Sequence, residues 1–133
     1  MSELSNVEIN ECNNLINNNF ISNRFDTYES VIFYIIDKKI VGFVGIADNG
    51  LNQLCTDILY RKKGIASNII EYSKNILQTS IYLYICKKNI ETEYLLNFYK
   101  KHNFVVEFEN EIEYKMIYTF KNWLYFFLLF IFK

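Results

Sequence analysis

Proline is absent from the 133-residue chain, histidine and tryptophan occur once each, and glycine occurs only four times. The missing proline stands beside many Asn, Ile, Lys and Tyr residues and reads as a compositional habit without functional content. Three cysteines, Cys12, Cys55 and Cys86, lie far apart, and none belongs to a CxxC or Cys/His pair able to hold zinc, so no metal is expected. An odd, unclustered set reads as reduced, buried thiols of a cytoplasmic protein. Charge of one sign is missing too: fourteen Lys and Arg oppose fifteen Asp and Glu, for a formal net charge of −1. That excludes the broad cationic field nucleic-acid binding needs, and any basic site must be local. Residues 1–10 carry Glu3 and Glu8 and lack a basic n-region followed by an apolar h-region. They do not read as a secretory signal.

What is present is apolar: 51% of the residues are hydrophobic and 18% aromatic, which excludes disorder over most of the chain. The length suits one domain burying roughly two-thirds of its unfolded surface. The aromatics are uneven. Tyr118, Phe120, Trp123, Tyr125, Phe126, Phe127, Phe130 and Phe132 crowd the end, so residues 1–120 read as the domain and 121–133 as an apolar tail. The run from Trp123 to Phe132 is flanked by Lys121 and Lys133. As a helix of ten residues it would span roughly 15 Å, half a bilayer core, and could not cross alone. Three readings stay open: a segment packed on the domain or on a second copy in a homodimer, a peripheral membrane anchor, or an extension with no role.

Hydrophobic period assigns the elements. Ser5 and Glu8 have capping-box spacing, and Ile9, Cys12, Leu15 and Ile16 recur at helical intervals, predicting a helix over 6–19. Val31 to Ile36 and Ile40 to Ile46 read as two strands of a hairpin, covered on both faces, with Asp37-Lys38-Lys39 as the turn. Asp48-Asn49-Gly50 turns into a third strand, Leu51 to Asp57. A helix over 64–78 follows, with Ile65, Ile69, Ile70, Ser73, Ile76 and Leu77 inward and Glu71, Lys74 and Gln78 outward. Ile81 to Cys86 is a strand reached by a right-handed crossover that favours parallel pairing. A further helix carries Leu95, Phe98, Tyr99 and His102, with Asn103 as a left-handed cap. Phe104–Glu109 and Ile112–Tyr118 close as a hairpin, on which Glu107, Glu109, Glu111 and Glu113 fall to one side. The fold class is α+β, a mixed sheet with one parallel crossover.

Chemistry concentrates at Arg61-Lys62-Lys63-Gly64-Ile65-Ala66, between the third strand and its helix. Unpaired N–H groups of a helix N-terminus, small residues allowing close approach and three cations suit a pyrophosphate. Without an anion, each cation there opposes the helix dipole by ~0.3–1 kcal/mol.

The stretch LCTDILYRKKGIA, residues 54–66, resembles the acetyl-CoA signature of the GNAT N-acetyltransferase superfamily, matched by Arg61-x-x-Gly64-x-Ala66. Ile40 to Gly45 is similar to the family's third strand, Tyr99 to Phe104 to its "Tyr-x-x-x-Gly-Phe" helix end, and Met116 sits where members often carry one. The resemblance covers roughly residues 5–118. It implies a GNAT-like, mostly antiparallel central sheet with helices on both faces and a splayed parallel pair at the acyl-CoA site. It also implies a co-substrate, acetyl-CoA. Backbone groups of Lys62, Lys63, Gly64, Ile65 and Ala66 would hold its pyrophosphate, with charge added by Arg61, Lys62 and Lys63. Leu54, Cys55 and Thr56 would pair with the pantetheine arm, placing the acyl carbonyl near a strand N–H. Tyr99 would protonate the leaving thiolate, and Asn89 would contact the cofactor or else cap its helix.

The sequence departs from the family in Asn103 for glycine, in Ile58 for a frequent proline, and in a third strand with no glutamate for a base. Asn52, Gln53 and Asp57 are its polar groups, with Asp57 read as a brace for the loop. Glu29 and Asp48 are weaker base candidates. The implied activity is acetyl transfer from acetyl-CoA to a primary amine by direct attack. Its rivals are a non-catalytic acyl-CoA binder and an interaction protein working through the tail.

Overall fold

A computed structural model describes residues 6–8, 10, 11 and 28–121. The apolar run from Trp123 to Phe132, Cys12 and most of the expected opening helix lie outside the described residues. Residues 6–8, 10 and 11 are helical, and the Glu11 carboxylate accepts the Ile40 N–H at 3.0 Å. The described chain forms two units, residues 1–76 and 77–133.

In the first unit β1 (Ser30–Ile36), β2 (Lys39–Ala47) and β3 (Gly50–Thr56) form an antiparallel meander. Both connections are two-residue loops with left-handed central residues, Asp37 and Lys38 (φ 49° and 65°) and Asp48 and Asn49 (φ 50° and 63°). These are type I′ turns, whose twist matches that of the strands they join. β2 is buried from Ile40 to Ile46, as its unbroken apolar run predicts. β1 is not covered on both faces: its residues are half-buried and Ile35 is exposed, because β1 pairs with β2 along one edge only. Ile40, Phe43 and Cys55 form a buried cluster against which Val31 and Phe33 pack.

The helix Ile65–Leu77 buries Ile65, Ile69, Ile70 and Ser73, whose hydroxyl donates to the Ile69 carbonyl at 2.7 Å. Its inward face is rotated from the expected one: Lys74 is buried and Ile76 exposed. The Lys74 stem covers apolar surface while its ammonium reaches the Glu71 carboxylate at 3.1 Å, the usual compromise of a long cationic side chain.

The second unit orders β4 (Ile81–Cys86), β5 (Val105–Glu109) and β6 (Glu113–Tyr118) around β6, which pairs antiparallel with both others. Strand alternation buries Ile81, Leu83 and Ile85 and turns Tyr84 and Cys86 outward, so Cys86 is an exposed thiol, unlike the buried Cys55. Met116 is fully buried, opposite Leu83 and Val106. The expected single acidic face is interrupted by a register shift between Val106 and Phe108. Glu107 pairs with Lys115 at 3.1 Å and Glu109 with Lys87 at 2.6 Å.

The helix Thr92–Lys101 ends as Asn103 at C′ predicts. Asn103 takes φ 66°, its N–H donates to the Lys100 carbonyl at 3.1 Å, and the Phe104 N–H returns to the Tyr99 carbonyl at 3.1 Å. This pair of bonds is a Schellman motif, and the Tyr99 and Phe104 rings supply its apolar contact, edge to face at 5.6 Å. Asparagine replaces glycine here because its short polar side chain tolerates the left-handed region. Asn103→Gly should therefore leave the urea midpoint within a few tenths of a kcal/mol of wild type, whereas Asn103→Val, branched at Cβ, should lose about 1–2 kcal/mol.

Candidate active site

β3 delivers the chain to the basic loop through Asp57. The Asp57 N–H donates to the Val41 carbonyl at 2.7 Å, and its own carbonyl accepts the Tyr60 N–H at 2.8 Å. Its carboxylate accepts the Leu59 N–H at 3.0 Å and pairs with the Lys39 ammonium at 3.2 Å. The carboxylate thereby caps a single 3-10 turn, Ile58–Tyr60. The Leu59 N–H, with Lys39 and Arg61 nearby, holds the Asp57 carboxyl below its ordinary value, against a smaller opposing effect of burial. Asp57 is thus the brace its position suggests.

Beyond that turn Lys62 takes φ 62° and Gly64 φ 78°, and Arg61, Lys62, Lys63 and Gly64 are all exposed. The first intrahelical bond runs from the Asn68 N–H to the Gly64 carbonyl at 3.0 Å. The N–H groups of Ile65 and Ala66 precede it and belong to the helix end that has no internal acceptors. No acidic residue occupies the first turn, so no side chain of the helix's own start offsets the dipole. A Cβ added at Gly64 would meet nothing within 4 Å. Open space thus lies before a left-handed backbone flanked by cations, an arrangement that suits phosphate oxygens. The Lys63 ammonium lies 5.2 Å from the Tyr60 ring centre and that of Lys39 lies 5.9 Å from it, so Tyr60 gathers positive charge at the loop.

The structure brings Arg61, Lys62, Lys63, Gly64, Ile65 and Ala66 together in one turn, with Leu54, Cys55 and Thr56 on the strand leading in. The Cys55 thiol is buried beside Ile40 and Phe43, which leaves only its backbone for a ligand. Tyr99 and Asn89 belong to the second unit. The Tyr99 ring is buried and meets Phe98 and Phe104 edge to face. His102, next in the same helix end, lies tilted on Phe98 at 5.0 Å. The Asn89 side-chain oxygen accepts the Glu91 N–H at 2.9 Å, and its carbonyl takes the Thr92 hydroxyl at 2.6 Å. These bonds form an Asx turn just ahead of the helix, whose N-cap is Glu91, so Asn89 is not the cap itself. Glu29 and Asp48 are exposed at strand ends. Among the described residues no group of three His, Cys, Asp or Glu side chains could hold a metal ion.

Sequence reasoning missed one element. Gln53 sits in β3 with φ 53°, and the register against β2 slips there. Nothing in the local sequence marks such a bulge.

A family model for the acetyltransferase (GNAT) domain matches residues 1–121. The chain belongs to the GNAT acetyltransferase family. Solved structures agree on the fold. The ribosomal-protein-S18-alanine N-acetyltransferase of Escherichia coli matches with a TM-score of 0.69 at 11% identity, covering 91% of this chain and 93% of that one. Arabidopsis thaliana Naa50, solved with the bisubstrate analogue CoA-Ac-MVNAL, gives 0.70 at 18% identity over 90% and 97%. An aminoglycoside 6'-N-acetyltransferase complexed with coenzyme A gives 0.67 at 15% identity over 91% and 97%. A sequence comparison with curated proteins finds no match. The α+β fold expected from the resemblance is the one found, on a GNAT chain whose basic loop has the Arg61-x-x-Gly64-x-Ala66 pattern.

Asp57 should make the stability of this loop depend on pH. A carboxyl whose folded pKa lies below its unfolded value of 3.8 lends stability above that pH, and the contribution is lost as pH falls through the folded value. Asp57→Ala should cost about 1 kcal/mol at pH 7, and the gap from wild type should shrink below about pH 4. Urea midpoints across that range measure it.

Proposed function

We propose that this GNAT chain is an acetyl-CoA-dependent N-acetyltransferase that moves the acetyl group to a primary amine of a small molecule or a peptide. The observation that carries the reading is the loop at Lys62 to Ala66, where left-handed backbone, helix N–H groups and cations converge on open space at Gly64. Those residues fit a pyrophosphate. The names of the structural relatives point the same way: two are complexed with coenzyme A or an analogue of it, and the acceptors they name are a ribosomal-protein alanine and an aminoglycoside.

In this reading Lys62, Lys63, Gly64, Ile65 and Ala66 bind the pyrophosphate through backbone N–H groups, and Arg61, Lys62 and Lys63 neutralise its charge. Leu54, Cys55 and Thr56 offer backbone groups to the pantetheine arm, in the manner of an added strand. Bound acetyl-CoA supplies a thioester, whose carbonyl carbon takes the amine nitrogen as the carbon–sulfur bond breaks. A backbone N–H of β3 stabilises the oxygen that gains charge. Tyr99 donates its phenolic proton to the departing thiolate, a transfer suited to a phenol with pKa near 10. The polar side chains of β3 are Asn52, Gln53 and Thr56, none of them a base, so the proton released by the amine goes to water or to a base outside this strand, for which Glu29 and Asp48 are weak candidates. Asn89 adds a polar contact to the cofactor through its amide hydrogens.

Calorimetric titration of the full chain with acetyl-CoA should show saturable one-to-one binding. No heat from an intact, folded sample overturns the proposal. Gly64→Val would put a branched side chain into the open space at a positive φ, so it should abolish binding while lowering stability by only about 1–3 kcal/mol. Tyr99→Phe, which keeps the buried ring, should preserve binding and reduce thiol release with an amine library by roughly 10²-fold or more.

A further inference from the structure

The turn that carries the chain from β3 to the basic loop presents two large aliphatic side chains to solvent. Ile58 is 58% exposed and Leu59 77%, and no residue of the Ile58–Tyr60 turn is buried. Single exposed aliphatics are ordinary, but here two adjoin on a turn held by polar bonds. The fold uses their backbone: the Leu59 N–H goes to the Asp57 carboxylate at 3.0 Å and the Tyr60 N–H to the Asp57 carbonyl at 2.8 Å. Side chains of any polarity would satisfy those bonds, so the apolarity of this pair is not explained by the turn.

Positive charge surrounds the pair. Lys38 and Lys39 lie at the β1–β2 turn, and the Lys39 ammonium pairs with the Asp57 carboxylate at 3.2 Å and stands 5.9 Å from the centre of the Tyr60 ring. Arg61, Lys62 and Lys63 follow the turn, and the Lys63 ammonium stands 5.2 Å from the same ring centre. All five cations are exposed. They outnumber the acids placed at this end of the unit, Asp37, Asp57 and Glu11, the last bonded to the Ile40 N–H. The result is an aliphatic tip set in a cationic rim. A nucleic acid would engage the rim and leave the tip in water. A bilayer containing anionic lipid engages both, because aliphatic side chains enter the boundary between headgroups and acyl chains while lysine and arginine stay at the depth of the phosphates.

We infer that Ile58 and Leu59, with the cations around them, form a docking surface for an anionic membrane, which the protein meets peripherally through this turn. The inference goes beyond the acetyl-CoA reading and does not rest on it: Ile58, Leu59 and Lys38 take no part in that reading, and either can fail without the other. It is also distinct from any contact made by the apolar run Trp123 to Phe132, which lies outside the described residues. The Coulombic part is spread over five exposed cations and weakens with salt. The apolar part is confined to two side chains, so it can be removed while Arg61, Lys62 and Lys63 stay in place.

Co-sedimentation of the full chain with lipid vesicles is the test. Wild-type protein should partition onto vesicles of equal parts phosphatidylglycerol and phosphatidylcholine at least about tenfold more strongly than onto phosphatidylcholine alone, and salt at ~0.5 M should release most of it. Replacing both aliphatics, Ile58→Ser with Leu59→Ser, should weaken partitioning onto the anionic vesicles by about tenfold or more. Lys38→Asn, which removes a charge and keeps the left-handed turn, should weaken it about fivefold. The serine protein should keep the wild-type urea midpoint, since both exchanged side chains are exposed. No binding to anionic vesicles, or equal binding to neutral ones, overturns the docking surface. So does binding that the serine pair leaves intact: if salt abolishes it, the cations act alone, as they would on nucleic acid, and if salt does not, another apolar segment such as the tail carries it. Should the serine pair prevent folding, Leu59→Ser alone carries the test, with an expected weakening of about threefold or more and an unchanged affinity overturning the proposal.

Discussion

The position of the basic loop depends on four bonds made by one residue. Asp57 ties the end of β3 to β2 through its N–H on Val41 and to the start of β2 through Lys39, while its carbonyl and carboxylate close the turn at Tyr60 and Leu59. Each bond is worth about 1 kcal/mol net, so none is decisive alone. Their effect is cooperative because they converge on a turn of three residues, Ile58–Tyr60, that buries none of them. A segment with no apolar anchor is held by its polar ties or not at all. Where Arg61, Lys62 and Lys63 stand therefore depends on the Asp57 carboxylate and its partners Leu59 and Lys39.

That arrangement also accounts for three cations beside a helix N-terminus. The first turn of Ile65–Leu77 holds no acid to offset the dipole, and the Asp57 carboxylate, bonded to Leu59 and Lys39, also acts on Arg61. Tyr60, approached by both Lys39 and Lys63, softens the cost without cancelling it. Under the proposed function, that charge meets the pyrophosphate of acetyl-CoA.

Much of this was legible in the sequence, for identifiable reasons. β2 and the Ile65–Leu77 helix carry strong periodic signals, and Asn103 before Phe104 announces a left-handed cap that the Schellman bonds then show. The rotated face of the helix was not legible, because Lys74 behaves as an apolar residue along its stem and as a charge only at its tip. Cys86 was read as buried from residue type, whereas its parity in β4 relative to Ile85 decides its exposure. The basic loop stands out in the sequence by its three cations at a helix start and by the family resemblance of residues 54–66. The bulge at Gln53 does not, since the side chain it meets is Tyr28, twenty-five residues earlier in the chain, whose ring fits beside Gly45. Local signals report local causes.

The distribution of left-handed residues separates scaffold from site. Among the described residues eight non-glycine residues have positive φ, in a chain with only four glycines. Asp37, Lys38, Asp48 and Asn49 form the two hairpin turns, where that conformation matches strand twist. Gln78 and Asn103 each follow the end of a helix, where it satisfies terminal carbonyls. Two remain, Gln53 and Lys62, and neither closes a hairpin or a helix. They stand at either end of the segment from mid-β3 to the basic loop, one where the thioester is assigned and one where the pyrophosphate is. Backbone strain outside turns and caps is retained where something other than stability selects it. Among the described residues, positive φ outside the hairpin turns and helix ends falls at Gln53 and in the turn at Lys62, the two ends of the segment that the basic loop also marks by charge.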